Sequence, residues 1–168
     1  MKTILTIILV LSPFFMNAQT DCPCCSEPYK QFDFWLGDWV VYDSLGNALG
    51  ENLIVKLEDG CLINENWTGK GISSGRSYNY YNKQDSTWNQ LWVDNNATHL
   101  ILKGKASKNS MVLKSELTKG KKVPFYYNQI TWTLNDDGSV TQVWEIFDDK
   151  NNLLTTAFLG IYKKKEEK

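Results

Sequence analysis

Arginine and histidine are almost missing from this chain: each occurs once, as Arg76 and His99, among 168 residues. A single guanidinium cannot build the paired clamps that hold phosphates. A lone imidazole gives little basis for a Ser-His-Asp triad. Formal net charge is -1, so there is no basic face of the kind nucleic acids require. Beyond the first 15 or so residues no apolar run approaches the roughly 20 needed to span a bilayer. No segment after that start shows helical periodicity of useful length. Proline is scarce, and Pro124 falls at the start of an expected strand, where a missing donor is tolerated.

What is present organises into four stretches. Met1-Lys2 followed by the apolar Ile4–Phe15 and the small Ala18 reads as a signal peptide over 1–18, cleaved near Ala18, which implies a secreted or periplasmic protein. Thr20-Asp21 before Cys22 lacks the small residues of a lipoprotein site. Residues 19–31 form a cysteine-containing segment, 32–164 a single β domain, and 165–168 a charged, solvated tail. A domain of about 150 residues buries about two-thirds of its unfolded-chain surface and needs no metal merely to fold.

The domain alternates apolar and polar residues and is punctuated by turn chemistry, which predicts about ten strands. These are Trp39–Asp43, Gly50–Leu57, Cys61–Thr68, Arg76–Tyr81, Thr87–Val93, Thr98–Ala106, Ser110–Thr118, Phe125–Leu134, Val140–Phe147 and Leu153–Lys163. Asn135-Asp136-Asp137-Gly138 is a strong hairpin signal. Short turns without crossover helices point to an all-β, antiparallel up-and-down barrel or a sandwich, and the lack of a blunted edge favours the barrel. Ahead of it, Cys25–Leu36 reads as a loop with a short helical turn, and the aromatic block 32–39 as a plug over one end.

That block, Phe-Asp-Phe-Trp-Leu-Gly-Asp-Trp, stands with Gly60-Cys61, Glu65-x-Trp67, Gly75-x-Ser77, Trp88-x-Gln90-x-Trp92-x-Asp94 and Gln142-x-Trp144-Glu145. Together they resemble a family of uncharacterised bacterial secreted proteins, the lipocalin-like or nitrobindin-like (calycin-like) barrels. The resemblance spans about Phe32 to Tyr162 and implies a ligand-binding barrel without an established reaction. It gives Trp35, Gly37 and Trp39 structural roles, with Trp39 closing the barrel floor. The arginine that packs on this tryptophan in true lipocalins has no counterpart, since the last strand carries only lysines. Nitrobindins hold haem through a C-terminal histidine. Gly160-Ile161-Tyr162-Lys163 has none, so a haem here would need Tyr162 or His99.

Strand alternation assigns one parity of each strand to the interior. It aims Cys61, Ile63, Glu65 and Trp67 inward, with Trp88, Gln90 and Trp92 and with Val140, Gln142, Trp144 and Ile146. Large aromatics with a few fixed polar groups make a small-molecule pocket. The expected ligand-binding set is therefore Glu65, Trp67, Gln90, Trp92, Gln142 and Trp144, around an apolar or aromatic small molecule, with no cofactor. Tyr78 and Tyr80 are weaker candidates. The competing expectation is a barrel packed solid by its tryptophans, acting as a structural envelope protein.

Glu65 is either paired with Arg76 or left unpaired with a raised pKa; in the second case it could serve an isomerase- or lyase-type enzyme as acid or base. Cys22, Cys24, Cys25 and Cys61 predict disulfides in an oxidising compartment. One bridge is expected from the N-terminal cluster to Cys61, with a thiolate metal site as the alternative. His99, opposite in parity to Leu100 and Leu102, is expected to face solvent.

Overall fold

A computed structural model describes residues 22–166. The expected signal peptide lies outside them. Eleven strands form one antiparallel sheet: β1 (Gly37–Tyr42), β2 (Ala48–Leu57), β3 (Leu62–Gly69), β4 (Ser74–Asn82), β5 (Thr87–Asp94), β6 (His99–Ser107), β7 (Ser110–Lys114), β8 (Thr118–Lys119), β9 (Phe125–Leu134), β10 (Val140–Asp148) and β11 (Leu153–Lys164). Ten of them close into an up-and-down barrel. β1 pairs with β11, and β7 passes directly to β9. The eleventh, β8, is a two-residue strand beside the first residues of β9. No helix among the described residues is long and apolar enough to cross a membrane.

The expected strands are present with shifted ends, and one is corrected. The stretch Ser110–Thr118 does not run unbroken: β7 stops at Lys114, and Thr118 belongs to β8. At the break the Ser115 backbone N–H bonds the Asn128 carbonyl, while the Ser115 hydroxyl accepts from the Asn128 N–H, so a side chain replaces a ladder contact. Cys61 also lies outside β3, in the turn that precedes it.

The N-terminal segment makes two short 3-10 turns, Glu27–Lys30 and Asp33–Trp35. The second drives Phe32 and Trp35 into one end of the barrel, where both are fully buried. Phe32 stacks on Trp35 at 4.8 Å and meets Trp88 and Trp132 edge-on at 5.7 and 5.2 Å. Trp39, also fully buried, donates its indole N–H to the Trp35 carbonyl at 2.9 Å. A disulfide joins Cys24 to Cys61 and ties this segment to the β2–β3 turn; a second joins Cys22 to Cys25. With all four sulfurs so bonded, the thiolate metal alternative has no ligands.

Lys164 and Lys165 make defined contacts with the start of the barrel. Lys164 lies over the Trp39 ring, 4.1 Å from its centroid, a cation–π contact on the tryptophan for which the sequence supplies no arginine. Gly37 permits it: at φ +142° a Cβ there would sit 2.0 Å from the Lys164 ammonium. This is the physical content of Gly37-x-Trp39. Lys165 pairs with Asp38 at 3.0 Å and Glu51 at 2.9 Å, which tacks the end of β11 across β1 to β2.

Candidate ligand cavity

At the plugged end Trp132 and Tyr162 touch the plug aromatics. Both also border a cavity of about 260 Å³ lined by inward-facing residues of the barrel. All six expected pocket residues line it: Glu65 and Trp67 from β3, Gln90 and Trp92 from β5, Gln142 and Trp144 from β10. The barrel is therefore not packed solid. Ile130 and Leu100 add aliphatic wall, Phe158 meets Trp67 edge-on at 6.3 Å, and Ser73, Asp94 and Ala157 complete the mouth.

The indole positions follow from their neighbours. Trp92 packs against Gly75, where an added Cβ would stand 2.3 Å from its six-membered ring. The Gly-x-Ser step of β4 thus gives an indole floor space at the first residue and a polar contact two residues on. Trp144 is held by its N–H, which donates to the Asn128 side chain at 2.9 Å. The indole N–H of Trp132 is buried without an acceptor.

Beneath the aromatics runs a continuous buried chain of polar side chains. Gln90 donates to Asn79 at 2.8 Å, Asn79 to the Ser77 hydroxyl at 2.8 Å, and Ser77 to Glu65 at 2.6 Å. From the other side Asn52 donates to Glu65 at 2.8 Å and to the Tyr162 hydroxyl at 3.3 Å, and Tyr162 donates to Gln142. Glu65, Asn52, Ser77 and Asn79 are at most 5 % exposed. Burial pushes the Glu65 carboxyl up to about 6 against the opposing hydrogen bonds from Ser77 and Asn52. Burial, with the Glu65 charge second, also holds the Tyr162 hydroxyl well above the ordinary tyrosine range.

Glu65 is therefore not paired with Arg76. Register explains why: Ser77 lies directly across from Glu65, whereas Arg76 lies across from Asn66 on the outer face. The guanidinium caps the Gly75 carbonyl at 3.0 Å instead. The same parity turns Tyr78 and Tyr80 outward, each 47 % exposed, so neither belongs to the pocket. Tyr78 instead joins Leu91 and Ile101 in an exposed row across β4, β5 and β6.

Asn52, Ser77 and Asn79 were not among the expected site residues, although a signal existed. Each is a polar residue on the inward parity of its strand, and Ser77 and Asn79 alternate with the outward Tyr78 and Tyr80. From the sequence Tyr162 is expected only as a candidate haem ligand. The residues do not fit a haem: the Tyr162 hydroxyl is engaged by Asn52 and Gln142, and His99 is exposed and absent from the lining. A volume of 260 Å³ is also below the roughly 300–1,000 Å³ of drug-sized pockets. The chain matches no family model and no curated protein.

Proposed function

We propose that this is a secreted calycin-like barrel that holds one small apolar or aromatic molecule in its interior. The observation that carries the reading is the convergence of Trp67, Trp92, Trp144 and Phe158 on a guest-sized space with a fixed polar base. Indole faces supply stacking area, and the preset Gln90–Glu65–Gln142 chain supplies orientation with little ordering cost on binding. Two disulfides suit the oxidising compartment to which a signal peptide would send the chain. Titration with N-phenyl-1-naphthylamine tests this. Energy transfer from the cavity tryptophans to one saturable equivalent is the expected result, abolished by Ala157→Trp, which blocks the mouth. A linear, unsaturable response unaffected by that substitution would contradict it.

A second reading, an isomerase- or lyase-type enzyme, is favoured by one observation. A carboxyl at about 6 beside an open cavity suits proton transfer near neutral pH. Glu65 would be the base, with Gln142 or Gln90 as the polar group positioning the reacting atom. Loss of turnover in Glu65→Gln with guest binding retained would separate catalysis from sequestration.

A further inference from the structure

The cavity is electrostatically one-sided. Its lining holds two carboxylates, Glu65 at the base and Asp94 at the mouth. Among the described residues lining it there is no lysine, arginine or histidine. The third titratable group, Tyr162, is kept protonated by burial. Both side-chain contacts to Glu65 come from neutral donors, Asn52 and Ser77, one on each oxygen. A carboxylate accepts about four hydrogen bonds, so each oxygen keeps acceptor capacity. Neutral donors offset part of the cost of desolvating Glu65, yet no counter-ion among the described residues faces it. Asp94 likewise spends Oδ1 on the Asn96 and Thr98 backbone N–H groups and has no cation partner among the described residues.

The aromatic walls carry the same sign. Indole faces are the negative end of the ring quadrupole and attract cations most strongly among aromatic side chains. Four tryptophans, Trp67, Trp92, Trp132 and Trp144, contribute to the lining. Acids at both ends and π-rich walls between them repel an anion, and leave the Glu65 charge uncompensated with a neutral hydrocarbon.

We propose that the guest is an aromatic organic cation: one or two planar rings on a short stem ending in a protonated amine, with the ammonium against Glu65 and the rings among the indoles. This rests on the binding reading above and narrows it to a chemical class. The cavity volume limits the ring system to about this size. Protonation of Glu65 as pH falls through about 6 removes the counter-charge at the base, so preference for the cation declines there; Asp94 is the other carboxylate in the lining.

The test is calorimetric titration of the intact protein with three probes sharing one ring system: 2-naphthylmethylammonium, the neutral 2-naphthylmethanol, and 2-naphthoate. At pH 7.5 the ammonium is expected to bind about tenfold or more tightly than the alcohol, with naphthoate weakest. The ratio should shrink to about twofold in Glu65→Gln. Should that variant not fold, the same contraction is read on the unaltered protein between pH 7.5 and pH 5. Equal binding of ammonium and alcohol, or preference for naphthoate, overturns the cation proposal while leaving guest binding intact. Failure of all three to bind takes down the binding reading itself.

Discussion

Replacing Cys24 and Cys61 together by serine is expected to lower the unfolding free energy by about 4 kcal/mol, from the chain entropy that a cross-link over this span removes. The bridge closes a sequence separation of 37 residues, against 3 for Cys22–Cys25, whose removal should cost about 2 kcal/mol or less on the same entropy scale. The asymmetry follows from what each bridge holds. Cys24–Cys61 ties the segment carrying Phe32 and Trp35 to the β2–β3 turn, and those side chains fill the end of the barrel beneath Trp132. Denaturant unfolding of the two double-serine variants checks the prediction. Equal losses, or a loss under about 1 kcal/mol for the long bridge, would mean that burial of the plug alone fixes it.

The second large effect concerns Glu65 and pH. Its folded-state pKa of about 6 lies above the ordinary carboxyl value of 4.5, so between those values the folded protein binds more protons than the unfolded chain. For a carboxyl raised on folding, stability from this group is fullest below about 4.5 and is lost as pH rises through about 6, a change of about 2 kcal/mol. Glu65→Gln keeps the shape and removes the titration. The variant should therefore gain on the parent by about 2 kcal/mol between pH 4 and pH 7.5, whatever its absolute stability. Paired unfolding curves at the two pH values give this difference directly. A pH-independent gap would show that Glu65 is not desolvated in the folded state.

Much of this architecture was legible because a barrel strand obeys a period of two. Glu65 and Trp67, Gln90 and Trp92, and Gln142 and Trp144 each fall on one parity of a strand, and closure brings all three strands to one interior. What parity cannot supply is register between strands. Arg76 follows Gly75 in a strand next to Glu65, and only the pairing shows that Ser77, one residue later, is the neighbour that faces it. Asn52 reaches Glu65 diagonally, because it lies opposite Trp67 in the β2–β3 ladder. The break after Lys114 was hidden for a similar reason: Ser115-Glu116-Leu117 continues the alternation, while the Ser115 hydroxyl captures the Asn128 N–H that a ladder would use. Lys164 could be seen as a lysine, but its seat on Trp39 depends on the missing Cβ of Gly37, a contact between opposite ends of the domain. Volume is the last thing a pattern withholds. Seven tryptophans could equally have filled the barrel.

Guest binding requires that the indole-bearing faces enclose a space open to a small molecule. A crystal structure of the protein soaked with 2-naphthylmethylammonium tests it most directly. Density for the naphthalene is expected between Trp67, Trp92 and Trp144, with the ammonium beside Glu65. Density on the outer row of Tyr78, Leu91 and Ile101 instead, with the interior closed by meshed indoles, would contradict it.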